Sequence, residues 1–207
     1  MKSAKTLRSA AEEDNERNYM ISGLSKTIMT GNLLFAGCCI VYLIWWSVAF
    51  RPGFTAPMGV KSALFLATAA LGIAGLAYII RGCQMAEGNN HFIAIMAVGA
   101  AIYIILILVT NLVMHRTVTT ELMLIVFWAC MEICACNALF GSGLITAKAF
   151  TVLAVIVLVA SIAGMICYLK YYDLEPMPAF YDGMVPLILF ALVMIGISVY
   201  QAFAIKS

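Results

Sequence analysis

Six stretches of about 20 mostly apolar residues, joined by short polar connections, leave this chain few folds to adopt. In lipid, every backbone N–H and C=O must find a partner within the protein, so isolated runs of this kind become helices. They can be drawn at 31–50, 60–80, 91–114, 120–139, 148–169 and 183–204. Of the 207 residues, 64% are hydrophobic and 11% are charged, against about a quarter charged in soluble domains. Too little polar surface remains to clothe a soluble particle. The expected fold is therefore an all-α membrane domain of six transmembrane helices over 28–207, preceded by a polar tail, 1–27.

The tail holds Glu12, Glu13, Asp14 and Glu16 among its basic residues, which is too acidic for a secretory signal. It is expected to be cytoplasmic, with a short surface helix over 7–20. Basic residues are retained on the cytoplasmic side of a membrane. With the amino terminus inside, inner segments hold Lys2, Lys5, Arg8, Arg17, Lys26, Arg81, Lys148 and Lys206, and outer loops hold Arg51, Lys61, Arg116 and Lys170. Both termini are expected inside. The net charge of +2 shows no basic face, so no nucleic-acid partner is expected; the expected partner is the lipid bilayer, with a second copy or a larger membrane complex as further options.

Shifting the chain by 62 residues brings the spans into register twice. Small residues then coincide at Gly37, Gly99 and Ser161 in the odd spans and at Gly72, Cys134 and Gly196 in the even ones. The bulky Leu66, Trp128 and Phe190 coincide six residues before the second set. Because each unit contains two helices, every copy starts on the same side, so the copies are parallel repeats about an axis along the membrane normal. Three two-helix repeats follow, at about 28–86, 90–143 and 148–205. Small residues at matched depth would let helices approach closely, as association in lipid requires.

Residues 49–82, AFRPGFTAPMGVKSALFLATAALGIAGLAYIIRG, resemble the repeat unit of the HdeD-like short-repeat membrane proteins. A span there ends in Pro-Gly with a nearby Thr, and the next carries a mid-helix Gly and closes on a basic residue; here these are Pro52, Gly53, Thr55, Gly72 and Arg81. The second repeat has Met114-His115 in place of Pro-Gly and Cys134 in place of Gly, and the third keeps Pro176 and Gly196. The resemblance implies six spans in three units, an inner-membrane location and a role in acid or general stress, with no catalytic motif to carry across.

Candidate sites are few. Glu132 is a lone acid within the fourth span, where the other two repeats place Ala70 and Met194. An ionisable residue at that depth is expensive and often functional. It is read as a proton-sensing or cation-contacting group facing the bundle interior, with Asn137 as a neighbour, or as a carboxyl that hydrogen-bonds to another helix and fixes packing. His115, beside Arg116 on the expected outer face, could register acidification, although a solvated interfacial side chain accounts for it as well. The loop YYDLEPMPAFYDG between spans five and six, with its tyrosines, Asp173, Glu175 and Asp182, is either an interfacial belt or a mouth that gathers a cation or ligand.

Seven cysteines lie mostly inside the apolar runs, where they read as reduced, buried hydrophobes. Cys130, Cys134 and Cys136, and the vicinal Cys38-Cys39, raise a soft-metal reading, but Cys136 is rotated off the face of the first two and the loops hold no second ligand set. No metal and no cofactor is expected. His91 and His115, about 36 Å apart along one helix, cannot share a metal or haem. Phe140-Gly141-Ser142-Gly143 lacks the histidine base that a serine nucleophile needs, and Gly141 and Gly143 suit the turn between spans four and five. The acidic-and-basic signature of mitochondrial carriers is missing. The expectation is a non-catalytic, multi-pass inner-membrane protein of the stress or acid response; the alternatives are a small-solute or ion channel or transporter with Glu132 on its path, and an accessory subunit of a membrane complex.

Overall fold

The computed structural model describes residues 2–86, 91–115 and 120–204, with side chains from residue 15 onward except 16–18 and 120. Arg116 and Lys206, and the side chains of Lys2, Lys5, Arg8 and Arg17, used above to orient the chain, lie outside what is described. The described residues form helices and no strand: α1 (Lys2–Phe50), α2 (Met58–Met85), α3 (His91–Leu112), α4 (Thr120–Gly141), α5 (Ala147–Tyr171), α6 (Pro176–Asp182) and α7 (Val185–Ala204). Six are long and apolar enough to cross a membrane, the last of these spans combining α6 and α7 as Pro176–Ala204. This is the architecture of a multi-pass membrane protein.

Two departures from the sequence reading stand out. The tail and first span are one continuous helix, α1, because nothing between Lys2 and Phe50 breaks helical hydrogen bonding and its Ala, Glu, Lys and Leu residues favour it. The loop before the last span contains α6, which starts with Glu175 at the N-cap and Pro176 in the first turn, where a missing N–H costs nothing.

The turns follow from their residues. After α1, Gly53 takes φ +76° and Phe54 N–H donates to Arg51 C=O at 3.2 Å. After α4, Gly143 takes φ +74°, while Ser142 and Leu144 N–H groups close on Ala138 and Leu139 carbonyls. Only glycine adopts such φ values freely. Thr146 then caps α5, its hydroxyl accepting from Ala149 N–H.

α4 is the hub. In its most apolar window 61% of residues are buried, against 6% for α3. It packs against α3 and α5, with further contacts to α2 and α1; α1 packs against α2 and α7, and α5 against α7. The α1–α2 seam brings two backbones together: a Cβ on Gly31 would lie 2.6 Å from Ile79 Cγ1 and 3.1 Å from Gly75 C=O, and one on Gly82 would strike Ile28. This seam fixes the rotation of α2. Leu66, nine residues from Gly75, is turned about 180° from it and is 67% exposed. Its repeat partners behave differently, since Trp128 and Phe190 are buried and stack face to face at 4.0 Å. Sequence-equivalent positions thus face inward on α4 and α7 and outward on α2.

The six small residues singled out for packing divide similarly. Gly99 lies against Cys130, Gly72 lies 3.4 Å (from its would-be Cβ) from Cys38 Sγ, and Cys134 and Ser161 are buried. Gly37 and Gly196 face open space. The tightest contact falls on Gly99, one of the six, and close approaches that the register did not single out fall on Gly31, Gly75, Gly82 and Gly183.

Candidate functional site

Toward the end of the bundle where α1 finishes, α1, α2, α4, α5 and the α6–α7 corner line a cavity of about 700 Å³. Trp46 drives its ring against Gly183, and its Nε1–H donates to Phe180 C=O at 3.0 Å, which holds α6 over the end of α1. Aromatic residues cannot interdigitate there as closely as the glycines do at the opposite end, so space remains. Tyr42, Trp46, Trp128, Tyr168, Tyr171 and Phe190 supply much of the wall.

Two carboxyl groups, Glu121 and Asp182, also line it, and no Lys, Arg or His side chain does among the described residues. Asp182 Oδ2 is buried without a hydrogen-bond partner, and the Cys167 thiol lies beside that carboxyl. The loop tyrosines Tyr171 and Tyr172, and Asp182, are thus wall residues of one cavity. Phe65 and Ile73 of α2 and Leu124 of α4 belong to the wall yet are 51%, 69% and 53% exposed. The wall contributed by α2 and α4 is thus exposed to the surroundings there.

Below the cavity the bundle closes, and three of its wall stripes run on to buried polar side chains. On α4, Trp128 is followed one turn later by Glu132, which is 0% exposed with neither carboxyl oxygen partnered. On α1, Trp46 and Cys39 are followed at the same seven-residue spacing by Asn32 and Ser25, both buried, their side-chain polar atoms unpartnered. On α7, Phe190 is followed eleven residues later, on the same face, by Gln201, 2% exposed and likewise unpartnered. Counted along their helices from Trp128, Cys39 and Phe190 of the wall, Glu132, Asn32 and Gln201 lie about 6, 10 and 16 Å further on. Glu132 is within electrostatic reach of the thiols of Cys39, Cys83 and Cys136.

Asn137 makes no hydrogen bond to Glu132. It is half-buried and about 140° around the helix, and the acid's oxygens have no hydrogen-bond partner among the described residues. His115 is exposed at the end of α3 with φ 50°, away from the cavity wall. The seven cysteines form no disulfide; Cys38 donates to Thr68 C=O at 3.3 Å, and no group of three His, Cys, Asp or Glu residues that could hold a metal occurs among the described residues.

Asn32, Gln201 and Ser25 escaped the sequence reading because single polar residues are common in long apolar runs. The signal was present in the spacing of Ser25, Asn32, Cys39 and Trp46, each seven residues from the next and hence on one face. No protein-family model matches the chain, and neither a curated protein nor a solved structure matches it.

Proposed function

We propose that this chain is a non-catalytic membrane protein that binds a small solute in the aromatic cavity and passes it, or a co-moving ion, along the polar positions beneath. The observation that carries this reading is the continuation of three wall stripes into Glu132, Asn32 and Gln201, all buried and all unpartnered. A buried polar group without a partner costs about 1–3 kcal/mol, and such groups in native proteins are usually met by water or an ion. Three of them at stepped depths, each on a helix that walls the cavity, suit a hydrated path better than three separate packing accidents. The resemblance to HdeD-like proteins supplies the setting: an inner-membrane protein with both termini cytoplasmic, acting in acid or general stress.

Thiol labelling tests the path. In a variant with the native cysteines replaced by Ala or Ser, Asn32→Cys and Gln201→Cys should react with a small, membrane-impermeant methanethiosulfonate cation. Ile28→Cys, equally buried but packed on Gly82, should not. If the three positions are equally inert, the interior is dry and Glu132 serves packing alone. In cells, Glu132→Gln should impair survival of acid challenge, and survival equal to the parent's would remove the link between this acid and stress.

A further inference from the structure

We propose that the cavity takes an amphipathic organic cation and admits it sideways from the bilayer between α2 and α4; this rests on the cavity being a solute site and names its substrate class. The volume of about 700 Å³ is that of a site for a drug-sized molecule. The wall offers faces of Trp and Tyr rings together with the carboxyl groups of Glu121 and Asp182, and nothing cationic among the described residues. Aromatic faces and carboxylates both attract a positive charge, and the former also accept an apolar body.

Other ligand classes fit less well. An anion would meet two carboxyl groups, and Lys170, within electrostatic reach of Cys167, is not itself part of the wall. A neutral apolar molecule would leave Asp182 Oδ2 buried and unpaired, as it already is. A bare metal ion needs about six oxygen ligands, and the wall is mostly hydrocarbon. An organic cation with apolar substituents satisfies the carboxyl end and the aromatic body at once.

The entrance follows from the rotation of α2. Its glycine ridge is locked against α1, so Leu66 and Ala70 face outward, and Phe65 and Ile73 form a wall that is exposed on its outer side. A membrane-dissolved molecule can therefore reach the cavity without crossing the polar end of the bundle. Neither Leu66 nor Ala70 closes the gap.

Tryptophan fluorescence of the full-length protein in nanodiscs provides the test, with empty discs subtracted. Tetraphenylphosphonium and tetraphenylborate share size and shape and differ in the sign of their charge. The cation should quench saturably with an affinity at least tenfold above the anion's. Asp182→Asn, which keeps the side chain's shape, should weaken binding of the cation at least tenfold with the fold retained by circular dichroism; Ile73→Trp should slow its binding rate by filling the entrance. Equal binding of both ions, or an unchanged affinity in Asp182→Asn, overturns the cationic class and leaves the cavity a solute site. Binding of neither ion overturns the proposal, and thiol labelling of Asn32→Cys then judges the path independently.

Discussion

Glu132→Leu should make the protein more stable and less functional. The carboxyl is 0% exposed and both of its oxygens lack partners, so the group carries a desolvation cost of about 3 kcal/mol, the upper end for an unsatisfied buried group. Leucine removes that cost and fills a similar volume, giving back about 1 kcal/mol for imperfect fit. The net gain is about 2 kcal/mol. For a chain of this length, 1 kcal/mol moves the melting temperature by about 2–4 °C, so a detergent-solubilised variant should melt about 4–8 °C higher. Water that solvates the carboxyl in the parent would shrink the gain towards zero but would not reverse it. Uptake of tetraphenylphosphonium into proteoliposomes should meanwhile fall at least tenfold, the pairing expected where a costly group is kept for function. A drop in melting temperature of 8 °C or more would refute the reasoning: losing about 3 kcal/mol is what removal of one partner from a buried pair costs, and Glu132 would then be a tie between helices.

At the α1–α2 seam, Gly31→Ala and Gly82→Ala should each destabilise by about 1–3 kcal/mol through overpacking, because their added methyl groups meet Ile79 and Ile28. Gly37→Ala and Gly196→Ala, facing open space, should be neutral or gain up to about 1 kcal/mol of helix propensity; thermal melts of the four variants side by side decide, and equal losses at all four would sink the seam as the special contact. Trp46→Phe removes the bond from Trp46 Nε1 to Phe180 C=O and should cost about 1 kcal/mol, with faster amide exchange confined to α6. Unchanged exchange there would mean that α6 is held by other contacts.

How far the sequence carries depends on which physical term decides each feature. The membrane class and the six spans were legible because burial of backbone polar groups in lipid leaves helices as the only solution for runs of this composition. Span ends were less so. A polar tail can continue a helix at little cost, as 2–18 of α1 does ahead of the apolar Tyr19–Phe50, and two prolines in the first turn of α6 look like a loop although N–H groups there have no intrahelical partner to lose. Asp182 and the tyrosines of that segment were visible as a candidate mouth, yet the partner walls from α1, α2 and α4 could not be assigned without the fold.

The 62-residue register illustrates the difference between sequence equivalence and structural equivalence. It aligned Leu66, Trp128 and Phe190 by size, but size does not set the rotation of a helix; the neighbour with which it makes its closest contact does. For α2 that neighbour is α1, through Gly31, Gly75 and Gly82, whose spacing lies outside the aligned set. Trp128 and Phe190 consequently meet over the cavity floor while Leu66 faces outward. The asymmetry has a chemical result. A Leu66 turned inward would place a third bulky side chain beside the Trp128–Phe190 stack and narrow the space that the aromatic wall encloses. The glycines of one seam therefore set which face α2 turns to the cavity that the aromatic residues wall, and the lone acid Glu132 lies one turn beneath Trp128 of that wall.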